Sequence, residues 1–247
     1  MPSSRRAPHH PGTAAPARGD AITQPDAALP TNAAPTAASL PSLADQAQRL
    51  IDLDVHARAG LTEHVLHKAA EAWGSARTDA LLAIRPDLAP PSALAPLMRR
   101  ADKPGFVVED MTDVDEFAPV GIDVPSTPVY VVEGIDRGDT FANRTPEESL
   151  PEITGPGRSP LLLTEGLHWV LQQPGVLERN HCFMTIGSRL TTKSGKFASR
   201  TPALWISNGT GRDGRERKDA PKLGWCWWGN RHTWLGIASA AGRAAVR

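Results

Sequence analysis

Three features of this chain predict an α+β fold in which N-terminal helices pack on a mixed, largely antiparallel sheet. Two amphipathic runs, over 43–55 and 62–73, repeat apolar residues at helical spacing. Short apolar runs at 80–84, 129–132, 182–186 and 203–207 have the length of buried strands. A closing segment, 222–236, holds four of the seven tryptophans around a polar turn and reads as a β-hairpin.

In chain order, residues 1–41 are dominated by Pro, Ala, Ser and Thr without apolar periodicity, and read as a disordered tail. Arg5 and Arg6 are not followed by an apolar stretch, so a secretory signal fails. A single α+β domain is expected over 42–247. Ser42, with Asp45 three residues on, caps a helix whose face is Leu43, Ala47, Leu50, Ile51 and Val55, ending at Gly60. Thr62 caps a second helix, with Leu61 and Leu66 as a staple and Val65, Leu66, Ala69, Ala72 and Trp73 as its face; Gly74 closes it. The run 80–84 stops before Pro86 and reads as a strand. Pro90 and Pro91 lead into a short helix through Leu94 and Met98, and 106–108 is a second strand. Thr145, Pro146 and two glutamates form a strong helix start, and Thr164 opens another helix that Pro174 and Gly175 stop. The stretch 208–221 mixes arginines with carboxylates and glycines, and reads as a flexible solvated loop.

The Trp-rich segment carries the most information. Leu223, Trp225 and Trp227 would share one strand face, with Gly224, Cys226 and Trp228 on the other. Residues 229–232 form the turn, and the return strand carries Trp234, Leu235 and Ile237. Apolar residues on both faces predict a central, doubly covered strand. Each buried indole would contribute about 2–4 kcal/mol. A packed core strand is the plainer reading, and an aromatic wall of a ligand pocket the sharper one.

The string PKLGWCWWGNRHTWLGIASAAGR resembles the C-terminal signature of a family of high-GC (actinobacterial-type) bacterial proteins classed only as a domain of unknown function. PALWIS (202–207), NHCFMTIGSR (180–189), TPEESLPEI with GRSPLLLTEGL (145–167) and KPGFVVEDMTDVDEF (103–117) extend the resemblance upstream. It implies no activity, cofactor or catalytic residue. The charged loop between PALWIS and PKLGWCW is longer than in the family pattern.

Composition narrows the function further. The 247 residues carry 27 Lys plus Arg against 27 Asp plus Glu, so no global field draws the chain to nucleic acid or an anionic membrane. No apolar run reaches the roughly 20 residues of a membrane span. Two cysteines make no disulfide framework, and a cytoplasmic setting is expected. The expected hairpin holds Cys226 about 7 Å from His232, against the roughly 3 Å a thiol and its base require. His64, His67 and Glu71 share a helical face, but the one opposite the apolar stripe, so no metal site is expected. Residues 154–159 lack the lysine of a phosphate loop. No cofactor is expected.

The reading that remains is a non-catalytic module binding a small molecule or protein through Arg189, Trp225, Trp227, Asn230, Arg231 and His232. An enzyme assembled around Cys226, His232 and Arg231 is the alternative, and nucleic-acid binding is less favoured still.

Overall fold

The computed structural model of the chain describes residues 39–245, so the tail expected over 1–41 lies outside the described residues except for 39–41. Leu40 packs partly buried against the core, and the Pro41 carbonyl accepts a hydrogen bond from Gln46 Nε2.

Helices α1 (Leu43–Asp52) and α2 (Glu63–Trp73) come first, followed by strands β1 (Ala80–Ile84), β2 (Phe106–Val107) and β3 (Val129–Glu133). Helices α3 (Pro146–Thr154) and α4 (Leu163–Gln172) follow. The last third is strands: β4 (Cys182–Met184), β5 (Arg200–Ile206), β6 (Pro221–Trp227), β7 (Leu235–Ile237) and β8 (Gly242–Ala245).

Ser42 caps α1 as expected, its Oγ accepting from the Asp45 N–H at 3.1 Å. The expected helix to Gly60 breaks at Asp54, whose φ of 55° cannot continue a right-handed helix. A separate helical turn, Val55–Arg58, resumes beyond it. In α2 the buried stripe is Leu66, Ala69 and Ala70, while Ala72 is exposed. The spacing explains the correction: 66, 69, 70 and 73 recur at one helical face, and 72 falls off it. Helix α4 begins one residue earlier than expected, because Glu165 Oε2 accepts from the Leu162 N–H and Thr164 is no cap.

The fold is α+β, but the strands divide into two main sheets. The first is antiparallel in the order β1-β3-β8. The second is mixed, in the order β7-β4-β5-β6-β2, antiparallel at its centre and parallel at both flanks. Helix α4 touches β1 of one sheet and β5 of the other, and all ten of its residues are buried. The central helix therefore comes from mid-chain rather than from the N-terminal pair.

The outer edge of β1 is closed by side chains. The Leu82 N–H donates to Gln46 Oε1 at 2.8 Å, and Gln46 Nε2 donates to the Ala80 carbonyl at 2.9 Å. The Ile84 N–H donates to His168 Nε2 at 3.3 Å. Helices α1 and α4 thus supply the partners that a further strand would have provided.

The expected Trp-rich hairpin does not form. Strands β6 and β7 are separated in the sheet by β4 and β5. Both edges of β6 are already taken by β5 and β2, so the chain crosses over and β7 pairs in parallel with β4. Nor is β6 doubly covered: Leu223 and Cys226 are buried, Trp225 and Trp228 half-buried, and Trp227 is 42% exposed. Its outer neighbour, β2, covers only two of its residues.

The loop 208–221 is also tighter than expected, with 3-10 turns at Gly211–Asp213 and Arg215–Arg217. Asp213 is buried, accepting from Lys222 Nζ at 2.7 Å and from Ser207 Oγ at 2.7 Å.

Candidate functional site

The six residues expected to form a site divide between two neighbourhoods. Arg189, Trp225 and Trp227 belong to a rim where β5 and β6 begin and end. Arg231 and His232 belong to a strap that carries the chain from β6 over to β7. Asn230 is exposed between them, its N–H donating to the Trp227 carbonyl at 3.1 Å.

The strap is structural. Arg231 pairs with the Glu148 carboxylate and donates through Nη1 to the Asn143 carbonyl at 3.0 Å. The Asn143 N–H returns a bond to the His232 carbonyl at 2.7 Å. Glu148 also accepts from the Thr145 N–H in the capping box of α3, so the strap docks on a helix start. His232 packs edge-on against Trp234 with ring centres 5.5 Å apart. Burial lowers its pKa below the usual imidazole range, and its Nε2 is buried without a partner.

The thiols do not assemble with this histidine. Among the described residues no hydrogen bond joins Cys226 to His232, and burial pushes the Cys226 thiol up to about 12. Cys182 is also pushed up to about 12 by burial, and its Sγ donates to the Glu178 carbonyl at 3.2 Å. A thiolate nucleophile needs the opposite shift. His64, His67 and Glu71 stand exposed on α2.

The rim is built differently. Arg189 pairs in register with Ala118, which fixes its backbone, and the residue is only 8% exposed. The guanidinium lies 3.8 Å from the ring centre of Trp228 and 5.4 Å from that of Phe197. Nη2 donates to the Ala198 carbonyl at 2.7 Å, while Nε is buried without a partner. Among the described residues no carboxylate pairs with it. Burial lowers its pKa, yet a guanidinium keeps its proton at neutral pH, so the charge stands unneutralised.

Local turn chemistry presents the aromatic partners. Gly195, at φ 77°, turns the chain so that the Thr192 N–H reaches the Lys196 carbonyl at 2.7 Å and Phe197 lies beside Arg189. The Trp228 N–H donates to the Ser199 carbonyl at 2.7 Å, holding its indole over the guanidinium. Phe197 is 50% exposed and, with Trp227, makes up the exposed large hydrophobics among the described residues; both sit at this end of the sheet. Trp225 stacks edge-on against Trp227 at 4.7 Å. Its Nε1 donates to Asp110, while Arg200 bridges to Asp113.

Phe197, Trp228, Asp110 and Asp113 were not among the expected site residues. A lone aromatic within the polar stretch 191–199 was the available signal for Phe197. The acidic run 109–116 supplies partners for Trp225 and Arg200. In the loop 208–221, Arg212 faces Asp110 and Arg217 faces Glu109, so these basic residues are already paired.

No helix among the described residues is long and apolar enough to cross a membrane. No curated protein and no solved structure matches the chain at a significant level. Residues 49–246, which include both the rim and the strap, match the model of a family described as a family of unknown function, DUF5701. With four-fifths of its length inside that match, the chain belongs to the DUF5701 family.

Proposed function

We propose that the protein is a non-catalytic binding module and that its rim takes a small, flat, carboxylate-bearing molecule. The observation that carries the reading is Arg189, a cation stacked on Trp228 and lacking a counter-charge beside the exposed Phe197, with the exposed Trp227 next to Trp228 in the chain. A carboxylate reaching the guanidinium would supply the missing charge, and a planar body would rest on the exposed rings. Arg189, Trp225 and Trp227 serve this role, whereas Arg231 and His232 shape the strap behind it and Asn230 borders the ligand. The 221–236 segment would then be the family's signature because it supplies both the aromatic wall and the strap. A cytoplasmic setting in a high-GC bacterium accords with two free, buried cysteines.

Intrinsic tryptophan fluorescence titrated with a panel of aromatic carboxylates tests the reading. Saturable quenching by at least one member is expected, weakened by about tenfold in Trp227→Ala, whose exposed ring can be removed without opening the core. A panel without saturable response, or one to which Trp227→Ala and Phe197→Ala respond as the parent does, rejects it.

A further inference from the structure

Away from the rim, a cleft of about 500 Å³ opens between two tight turns, and three arginines line it: Arg99, Arg100 and Arg179. Its size falls within the roughly 300–1,000 Å³ usual for small-molecule sites. We infer that this cleft is a second binding site, for a small phosphomonoester.

One wall is the turn between the paired segments Arg99–Arg100 and Lys103–Pro104. Arg99 is pinned through Nη1, which donates to the Pro96 carbonyl at 2.7 Å and the Met98 carbonyl at 3.0 Å. Its Nε and Nη2 remain unused, and the Arg100 side chain makes no hydrogen bond among the described residues. Neither faces a carboxylate there.

The opposite wall is the turn closed by reciprocal backbone bonds between Glu178 and His181, both 3.1 Å. Arg179 is held in place by Asn208 Oδ1 at 2.9 Å and by the Asp219 carboxylate. The one acid lining the cleft, Glu178, is already paired with Arg137 at 3.2 Å. The cleft therefore has two arginines without a carboxylate partner, Arg99 and Arg100, in its lining, with a third, Arg179, whose Nη1 and Nη2 are already taken by Asn208 and Asp219. Guanidinium forks match the three acceptor oxygens and double charge of a phosphoryl group. Leu177, buried at the cleft's lining, offers apolar surface to the organic part.

Backbone strain gathers at the same place. Five non-glycine residues among those described have positive φ. One of them, Ala101 at 51°, lines the cleft, and two adjoin lining residues: Asn180 at 67°, next to Arg179 in the chain, and Asp219 at 69°, the partner of Arg179. Ala101 is the telling case, because alanine has no side-chain hydrogen bond to favour the left-handed region. Conformations of this kind persist where the surroundings hold them, and they cluster at ligand sites.

The test is isothermal titration of the full chain with inorganic phosphate, glycerol 3-phosphate and AMP. At least one of the two esters should bind saturably and more tightly than inorganic phosphate. Arg100→Ala, and Arg100→Gln, which keeps much of the stem but drops the charge, should each weaken that binding by about tenfold or more. Thermal unfolding without ligand should be unchanged in both, and Trp227→Ala should bind the ester as the parent does. The inference is overturned if neither ester binds at about 10 mM, well above the micromolar-to-millimolar range of ordinary metabolite sites, or if a bound ester is indifferent to both Arg100 variants.

Discussion

His168 is fully buried and makes two bonds that fix its tautomer: Nδ1–H donates to the Thr164 carbonyl at 2.8 Å, and Nε2 accepts from the Ile84 N–H. Burial holds its pKa down to about 4. The unfolded chain protonates this imidazole near pH 6.5, and the folded chain only near 4. Between those values the unfolded state binds more protons, so the stability owed to neutral His168 is full above about pH 6.5 and is lost as pH falls towards 4. That step is worth roughly 3 kcal/mol. Urea unfolding at pH 7 and at pH 4.5 should show the parent losing more stability on acidification than His168→Gln, by most of that amount. Equal losses would mean that the imidazole is charged in the folded state. A single histidine within a helical run does not disclose in the sequence which strand edge it will face.

Among the elements, α4 lies between two sheets, and Gly166 sets how closely it approaches the second. A β-carbon added there would meet Thr185 Cγ2 at 2.7 Å and Phe183 Cε2 at 3.1 Å. Gly166→Ala should therefore destabilise the protein by about 1–3 kcal/mol, although alanine favours an isolated helix by about 1 kcal/mol. A denaturant midpoint equal to or above the parent's would show that the helix can move out. The helices and longer strands were legible because their periodicity is local: 43–52, 63–73, 146–154 and the strand cores follow from spacing and caps. Partner choice was not. The turn residues at 229–232 favour a hairpin locally, but β6 already has two neighbours and Arg231 holds the turn on α3. Tertiary pairing outweighed turn propensity there.

At the scale of the whole molecule, a buried ion pair ties the C-terminal strand to the central helix. Arg243 of β8 donates to both oxygens of Glu165 at 2.6 Å, and the Tyr130 hydroxyl donates to Glu165 Oε1 at 2.9 Å. Both charged side chains are almost wholly buried. Arg243→Ala would leave Glu165 without its counter-charge and should cost about 3–5 kcal/mol in chemical denaturation. A loss near zero would show that β8 pairing alone holds the sheet together. The primary structure was sufficient for the α+β class, most element positions and the overall charge balance, since each depends on composition or on spacing within one turn or strand. The crossover from β6 to β7, the exposure of Trp227, the counter-charge missing from Arg189 and the cleft between 99–101 and 174–179 came only with the folded chain. Each depends on which distant residues become neighbours, and that choice is made by competition for hydrogen-bonding edges and buried surface across the whole molecule.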